Sequence, residues 1–270
     1  MTRIIAIANQ KGGVGKTTTA VNLAAGLAAA EQRTLLVDGD PQSNATSGLG
    51  LTPEQFTSTT YDVLSGDASS RDAIVHSVQL RSLDILPAIP DLAAAEVELA
   101  THEQRDQIMR KALDTLRDDY DFILIDCPPS LGLLTINILT AADSLLIPLQ
   151  CEYYALEGLS QLLNTIRLIQ GGINSGLVID GVLLTMYDAR LNLSRQVAAD
   201  ARHHFGAKVF DAIIPRNIRL AEAPSFGKPI ILYDIASPGS QAYLKVTSEL
   251  MERLGTVFTV SPAYAGIPDQ

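Results

Sequence analysis

The chain has 270 residues, a mass of 28.9 kDa and a formal net charge of −10 at pH 7, with 47% hydrophobic and 19% charged residues. This length suits one large α/β domain or two small domains, and the composition excludes a disordered, collagen-like or coiled-coil protein. Two cysteines, Cys127 and Cys151, cannot form a disulfide framework in a chain of this size and indicate a reducing compartment. The apolar stretch at residues 4–8 is too short for the core of a signal peptide, so we expect a cytoplasmic protein.

Apolar runs rich in Ile, Leu and Val alternate along the chain with longer segments of helical spacing. Most runs are continuous, which indicates strands buried on both faces, as in a parallel sheet. The predicted strands are residues 3–9, 34–38, 83–86, 122–126, 144–149, 178–185 and 209–214, and the predicted helices are residues 16–30, 102–117, 131–141, 155–170, 194–205 and 240–254. This order predicts an α/β fold with a doubly wound, mainly parallel sheet flanked by helices. We expect one domain over residues 1–255 and a flexible tail over residues 256–270.

The most apolar segment, residues 130–149, carries a single charge, Asp143. Polar residues within it and the break at Ala141-Ala142-Asp143 favour a buried helix followed by a buried strand. We therefore expect no membrane insertion.

A glycine-rich segment follows the first predicted strand and opens the first predicted helix. It consists of Gly12, Gly13, Val14, Gly15, Lys16, Thr17 and Thr18. Glycines let backbone N–H groups converge on phosphate oxygens, and the helix that begins near Lys16 adds the positive end of its dipole. Lys16 can reach the β- and γ-phosphates of a nucleotide, and the Thr17 hydroxyl can occupy a Mg²⁺ coordination position. The segment is therefore predicted to bind phosphate.

Lys11 stands where the standard phosphate-binding loop has its first glycine. It is too far along the backbone to duplicate Lys16 on the same phosphate, but its side chain could extend outward to a nucleotide held by a neighbouring copy. This position predicts dimerisation that depends on nucleotide.

Residues 11–18 resemble the deviant Walker A motif of the ParA/MinD group of P-loop ATPases. Four further segments are similar to the ParA/Soj chromosome and plasmid partitioning ATPases, namely residues 37–46, 126–130, 150–158 and 215–225. The resemblance runs over residues 3–254 and implies Mg²⁺-dependent hydrolysis of ATP to ADP and phosphate. It also implies an ATP-bound sandwich homodimer, in which Lys11 of each copy crosses to the other, that binds nonspecific double-stranded DNA on the nucleoid. The implied partner is a ParB/Spo0J-type centromere-binding protein that stimulates hydrolysis and so releases the DNA.

Acidic residues stand at the ends of two predicted strands. Asp126 follows the apolar run 122–125, and a carboxylate at the C-terminal edge of a parallel sheet faces the ligand crevice, where it can hold Mg²⁺. Capping of the next turn is the other role open to this residue. The resemblance gives Asp126 the Walker B role, lets Asp38 support the metal site, and lets Asp40 orient the attacking water. The predicted catalytic residues are Lys11, Lys16 and Asp40, and the predicted metal residues are Thr17, Asp38 and Asp126.

Two positions depart from the pattern of the family. Gly39 stands where a larger residue is usual, and Ser43 stands where glycine is usual. Either change could alter hydrolysis without removing nucleotide binding. A protein that binds ATP with only vestigial hydrolysis is therefore a further hypothesis.

The base of the nucleotide is less clearly specified. The resemblance puts Met186 and the turn from Pro215 to Asn217 near adenine, with the Asn217 amide in contact with it. The residues alone leave adenine and guanine open, although the chain has no guanine-reading Asn-Lys-x-Asp string.

Charge is unevenly distributed along the chain. Residues 51–120 hold six basic and 13 acidic side chains, whereas residues 181–230 hold seven basic and four acidic ones. In Soj-type proteins, positions similar to Arg190 and Arg219 bind DNA without sequence preference, and we add Arg195 and Arg216 as candidates. A solvated helix face with ion pairs to Asp188, Asp200 and Glu222 is the alternative.

Two other classes of protein were considered. A MinD-like, membrane-associated division-site ATPase needs a basic amphipathic C-terminal helix, but no positive charge follows Arg253. An iron–sulfur reductase needs cluster cysteines with flanking glycines. Cys127 and Cys151 lack that placement and are predicted to be buried small hydrophobes.

Overall fold

A computed structural model describes residues 2–152 and 155–256, without the side chains of residues 155–160. The described strands form one six-stranded sheet in the order β3-β2-β4-β1-β5-β6, and every pairing is parallel. The strands are β1 (Arg3–Ile7), β2 (Thr34–Asp38), β3 (Leu83–Leu86), β4 (Phe122–Asp126), β5 (Ser144–Gln150) and β6 (Val178–Thr185). The predicted fold class is confirmed.

Helices connect these strands and cover both faces of the sheet. They are α1 (Lys16–Ala29), α2 (Asn44–Gly48), α3 (Thr60–Ser65), α4 (Leu92–Glu98), α5 (Ile108–Asp114), α6 (Leu133–Ala141), α7 (Ala155–Gln170), α8 (Asn192–Phe205), α9 (Ile218–Glu222), α10 (Ile230–Tyr233) and α11 (Pro238–Arg253). Short 3-10 helices lie at Pro53–Gln55, Leu99–Thr101, Gly206–Lys208 and Ala223–Phe226. None of the described helices is long and apolar enough to cross a membrane.

The apolar core has two layers, one on each face of the sheet. Successive residues of β1 enter different layers, because side chains alternate along a strand: Ile4 packs in one layer and Ile5 in the other. The layer that contains Ile5 also holds residues of α1, α10 and α11, whereas the layer that contains Ile4 holds residues of α3 to α8. Burial on both faces explains why the strands are continuous apolar runs.

One predicted strand was wrong. Residues 209–214 run beside β6 but touch it only through isolated contacts, such as the bridge between Val209 and Val182. The Glu249 carboxylate accepts the amides of Asp211 and Ala212, both at 2.9 Å, so these amides do not enter the sheet.

One predicted helix was too long. The helix predicted over residues 102–117 is confined to α5, which begins at Ile108. Gln104 has a left-handed backbone with φ +59°, which interrupts a right-handed helix. The predicted tail lies outside the described residues, except for Thr256.

Parallel pairing brings the carboxyl ends of the central strands to one edge. Asp38 of β2 is directly paired with Asp126 of β4, which is also paired with Ile7 of β1. The glycine-rich segment leaves this same edge after β1. The residues predicted to handle phosphate and metal therefore start from adjacent strands.

Candidate nucleotide site and basic surface

The glycine-rich segment forms a tight loop that ends at the N-terminus of α1. Gly13 and Gly15 have left-handed backbones, with φ of +73° and +91°, which glycine adopts without a Cβ penalty. The Thr185 hydroxyl, at the end of β6, donates to the carbonyl of Val14 at 2.8 Å and so ties the loop to the sheet. A cavity of about 300 Å³ adjoins Thr17 and Thr18. The loop and the helix end together are suited to phosphate.

The two lysines of the loop have different surroundings. Lys16 is buried, at 7% exposure, and its ammonium donates to the carbonyl of Lys11 at 3.3 Å. Burial lowers the pKa of Lys16, and the nearby Asp126 opposes that shift. The side chain of Lys11 is one-third exposed, and its ammonium lies 3.5 Å from the Glu152 carboxylate of the same chain. Lys16 is thus fixed in the loop, while Lys11 is held by one long, partly exposed ion pair.

Asp126 is the acid with the strongest need for a cation. It is fully buried, and neither of its carboxylate oxygens has a hydrogen-bond partner among the described residues. Burial raises its pKa well above the usual range, the neighbouring Asp38 adds to the shift, and Thr17 and Lys16 oppose it. Burial of an uncharged polar group without a hydrogen bond costs roughly 2–7 kcal/mol, and burial of an ionised carboxylate costs more. A cation that neutralises the carboxylate offsets this cost.

This donor set fits Mg²⁺. The ion prefers oxygen ligands and keeps waters and phosphates in its shell, so one carboxylate and one hydroxyl from the protein are sufficient. No group of three or more His, Cys, Asp or Glu residues that could hold a metal by themselves occurs in the part of the chain that is described. Asp126 and Thr17 therefore suit a magnesium ion that arrives with a nucleotide.

Asp38 is equally buried but has partners. One oxygen accepts from the amide and the hydroxyl of Thr46, at 2.8 and 2.7 Å, and the other accepts from the amide of Asp40 at 3.3 Å. Burial raises the pKa of Asp38 to about 6, and the hydrogen bonds from Thr46 oppose that rise. Its position beside Asp126 is the one predicted, but its oxygens already bind protein donors.

Asp40 follows in a bend after β2. It is 6% exposed, and one of its carboxylate oxygens accepts from the amide of Gln42 at 2.9 Å. Asp40 also lies close enough to Lys16 to raise the pKa of that ammonium. The three predicted acids thus converge beside the phosphate-binding loop.

The two departures from the family pattern have visible structural settings. A Cβ on Gly39 would lie 2.8 Å from the carbonyl oxygen of Asp126 and 2.7 Å from the Cδ1 of Ile138, so this backbone packs directly on β4. Ser43 has φ +50° and ψ +31°, a left-handed conformation that favours glycine.

The residues predicted to contact the base come together at the end of β6. Met186 has φ +51°, a strained conformation of the kind that occurs at functional sites, and the next residue, Tyr187, forms a parallel bridge with Pro215. Asn217 begins α9, and its side-chain oxygen accepts from the amide of Arg219 at 2.9 Å. That bond leaves the NH₂ group of Asn217 free to donate to a base.

The four arginines predicted to bind DNA lie in the chain after Met186 or in and just after the turn from Pro215 to Asn217. Arg190 pairs with Asp188 at 2.7 Å, Arg219 with Glu222 at 2.9 Å, and Arg216 with Glu152 at 3.5 Å. Arg195 donates to the carbonyl of Ala189 at 3.1 Å and to the side chain of Asn192. Two of the ion pairs expected on a solvated face, those with Asp188 and Glu222, are thus present. The Arg190 guanidinium lowers the pKa of Asp188 to about 2.

Both cysteines lie in the apolar core, as predicted for buried small hydrophobes. Cys127 and Cys151 are free, with exposures of 0% and 4%. Burial raises the pKa of both thiols, that of Cys151 to about 11. They do not present thiolates to a cluster.

The sequence analysis assigned no role to three residues of this site, Thr46, Glu152 and Thr185, although the first two lie in the segments 37–46 and 150–158 that carry the resemblance. Glu152 and Thr185 stand at or just after the ends of β5 and β6, so the rule that ligands bind at the carboxyl ends of parallel strands could have selected them. Thr46 has no such signal, because its contact with Asp38 depends on how α2 folds back. Tyr153, Tyr154 and the side chains up to Gly158, within the resembling segment 150–158, lie outside the description.

Comparison with known proteins extends these observations. Residues 2–179 match the protein family described as an AAA domain. The chain is 59% identical over 251 residues to the chromosome partitioning protein ParA of Myxococcus xanthus, covering 93% of this chain and 88% of that protein. It is 56% identical over 250 residues to the sporulation initiation inhibitor protein Soj of Bacillus subtilis, covering 93% and 98%. A solved structure of cobyrinic acid a,c-diamide synthase from Mycobacterium smegmatis with bound ADP and magnesium is similar, with a TM-score of 0.82, 38% identity and coverage of 96% and 100%.

Proposed function

The chain belongs to the ParA/Soj family of chromosome-partitioning ATPases, and from that premise we propose that it is an ATP-driven switch that binds and releases DNA during segregation. The observation that carries the proposal is the buried, unpartnered carboxylate of Asp126 beside a phosphate-binding loop. A bound cation would neutralise this carboxylate and so stabilise its ionised form. Residues 1–255 would form the single ATPase domain.

ATP and Mg²⁺ are the proposed ligands. When bound, Mg²⁺ supplies charge neutralisation at the β- and γ-phosphates, with Thr17 and Asp126 as its protein ligands and Asp38 beside them. The backbone of residues 12–18 and the ammonium of Lys16 hold the phosphate oxygens. The base lies between Met186 and the turn from Pro215 to Asn217, and the NH₂ group of Asn217 donates to it.

Hydrolysis requires an ordered water in line with the γ-phosphate. Phosphoryl transfer depends mainly on positioning and charge neutralisation. The orientation of that water is assigned to Asp40, whose amide donates to Asp38 and whose carboxylate accepts from the amide of Gln42. The products are ADP and phosphate.

Lys11 is proposed to link two copies of the chain. Its only described ion pair is a long contact with Glu152, which a phosphate oxygen in a second copy can replace. Two ATP-bound copies would then each contribute Lys11 to the other. Loss of the γ-phosphate removes the anion that attracts this lysine, and the dimer separates.

DNA binding is proposed for the assembled dimer. Arg190, Arg216 and Arg219 make partly exposed ion pairs that can exchange carboxylate for DNA phosphate. Arg195 makes only hydrogen bonds to Ala189 and Asn192 and can add a fourth phosphate contact. Contacts of this kind recognise the backbone, not the sequence. They would place the protein on the nucleoid while ATP is bound. The partner that stimulates hydrolysis is proposed to be a ParB-type centromere-binding protein.

Phosphate release tests this function and separates it from binding without hydrolysis. Wild-type protein should release phosphate slowly with ATP and Mg²⁺, and faster when DNA and the ParB-type partner are both present. Asp40→Ala should lower the rate by about 100-fold while ATP still binds. Asp67→Ala, at an exposed acid remote from the site, is the matched control and should keep the wild-type rate. Absence of phosphate release under every condition would contradict the proposal.

A further inference from the structure

Thr46 joins three separate segments through one buried side chain. It lies in α2 and is 3% exposed. Its hydroxyl donates to the carboxylate of Asp38 at 2.7 Å and accepts from the amide of Ala88, after β3, at 2.9 Å. Its own amide donates to the same Asp38 oxygen at 2.8 Å. The hydroxyl therefore has a donor and an acceptor in fixed directions and cannot rotate without losing one of them.

The geometry of Asp40 depends on this arrangement. The second carboxylate oxygen of Asp38 accepts from the amide of Asp40 at 3.3 Å, so the Asp38 carboxylate bridges Thr46 and Asp40. Asp38 is further fixed at its carbonyl, which accepts from the Thr60 hydroxyl at 2.8 Å. Rotation of the Asp38 carboxylate would release the Asp40 backbone and shift its side chain. Thr46 is the residue that opposes that rotation from the other end.

We propose that Thr46 is a positioning residue for ATP hydrolysis: it holds the Asp38 carboxylate in the orientation that places Asp40. The inference rests on the proposed function, in which Asp40 orients the attacking water. In this proposal Asp38 anchors the backbone of Asp40, and α2 is connected to Asp40 through the bond from Thr46 to Asp38. Small errors in the position of a water-orienting group reduce turnover more than they reduce binding, because binding uses the phosphate loop.

Two substitutions separate the hydroxyl from the shape of the side chain. Thr46→Val keeps the volume and removes the hydroxyl, and it should lower kcat by about tenfold with a KM for ATP within about threefold of wild type. Thr46→Ser keeps the hydroxyl and should restore kcat to within about threefold. The Mg²⁺ concentration for half-maximal activity should stay the same in both variants, since neither changes a metal ligand.

Thr101→Val is the matched control, because Thr101 is exposed and its hydroxyl only reaches the carbonyl of Glu98 at a helix end. If Thr46→Val does not fold, as judged by circular dichroism and thermal unfolding, Thr46→Ala replaces it with the same predictions. A Thr46→Val or Thr46→Ala protein with wild-type kcat would overturn the proposal. Equal loss in Thr46→Val and Thr46→Ser, or a parallel loss of ATP affinity, would overturn it as well, since that pattern marks a purely structural role.

The failure of this proposal is distinguishable from failure of the proposed function. Asp40→Ala, measured beside it, decides the role of Asp40. If Asp40→Ala is inactive and Thr46→Val is fully active, Asp40 keeps its role and Thr46 loses the role proposed here. If Asp40→Ala hydrolyses ATP at the wild-type rate, the assigned function of Asp40 fails and the positioning role of Thr46 fails with it.

Discussion

Ser43 has a backbone conformation that is unfavourable for a residue with a side chain. Its φ of +50° lies in the left-handed region, where a Cβ crowds the backbone, and its side chain makes no capping hydrogen bond to α2. The backbone carbonyl of Ser43, which accepts from the amide of Ser47, would be unaffected by removal of the side chain. Strain at this position is therefore separable from the contacts around it.

Ser43→Gly should raise the free energy of unfolding by roughly 0.5–1 kcal/mol, because glycine adopts this backbone without the Cβ penalty. Chemical denaturation with urea measures the change. Ser47→Gly, in the last turn of α2, is the matched control and should lower stability by about 0.5 kcal/mol. A loss of stability in Ser43→Gly of the same size as in Ser47→Gly would contradict the explanation.

The buried acids predict an unusual dependence of stability on pH. The pKa of Asp38 rises from its ordinary value of 3.8 to about 6 on folding, and the pKa of Asp126 also rises. The folded protein thus binds more protons than the unfolded chain between about pH 4 and pH 6, so this contribution to stability is complete below that window and is lost as pH rises through it.

Without nucleotide and Mg²⁺, the free energy of unfolding should increase by roughly 1–3 kcal/mol between pH 7.5 and pH 5. Urea denaturation at several pH values measures the slope. Asp38→Asn removes one of the two titrating groups and should reduce the slope, whatever its absolute stability. A protein that becomes less stable as the pH falls from 7.5 to 5 would contradict the assignment of Asp38 and Asp126 as buried carboxyl groups with raised pKa values.

At the scale of the elements, the strands were the most predictable part of the fold. Both-face burial produces a continuous apolar run, and β2, β3, β4 and β6 have the predicted ends. Residues 209–214 are also an apolar run and keep two hydrogen bonds to β6, but the amides of Asp211 and Ala212 donate to Glu249, which is distant in the sequence, so no continuous ladder forms. A local sequence pattern carries no information about hydrogen bonds to a residue as distant as Glu249.

The short helices were not predicted. The five-residue helices α2 and α9 do not span enough turns to show an apolar period. The phosphate loop and Asp126 were found because their chemistry depends on contiguous residues or on a strand end. No role was predicted for Thr46 and Glu152, because their partners contact them only in the folded chain.

The residues just after α2 pack closely against a second segment at Gly227, through backbone atoms and the side chain of Gln79. A Cβ on Gly227 would lie 2.5 Å from the Cα of Gly50, and the side-chain amide of Gln79 donates to the carbonyls of both Leu49 and Gly227, at 3.0 and 2.9 Å. Gly227 also has φ +62°. This junction connects the residues just after α2, the helix that contains Thr46, to the segment 181–230, which contains Arg219.

Gly227→Ala should lower the free energy of unfolding by roughly 2–4 kcal/mol, since it adds a backbone clash to the cost of a left-handed alanine. Gly66→Ala is the matched control, because Gly66 has φ +88° but no atom within 4 Å of the added Cβ, and it should cost only about 1 kcal/mol. Urea denaturation of both variants isolates the clash. Equal losses of stability in the two variants would show that the clash with Gly50 adds no cost, and would contradict a tight contact between the two segments.

At the scale of the whole molecule, the charge distribution decides how an acidic protein can bind DNA. The net charge is −10, yet residues 181–230 carry three more basic than acidic side chains. If DNA binds as proposed, it should bind where these basic side chains lie, and its affinity should fall steeply with salt because phosphate contacts release counterions.

Arg219→Glu should lower the affinity of the ATP-bound protein for nonspecific duplex DNA by at least about tenfold and reduce its salt dependence by about one unit of logarithmic slope. Lys245→Glu changes the net charge equally on an exposed part of α11 and serves as the control. Fluorescence anisotropy at several salt concentrations measures both quantities. Equal effects of the two changes would indicate a response to net charge and would contradict a defined basic surface.

Lys11 is proposed to sense the nucleotide of a second copy, and the molar mass of the protein in solution tests this role most directly. Light scattering on the Asp40→Ala background, which keeps ATP intact, should show a dimer with ATP and Mg²⁺ and a monomer with ADP. Addition of Lys11→Ala to this background should leave a monomer that still binds ATP. A Lys11→Ala protein that forms the dimer as readily with ATP as its parent would contradict the account.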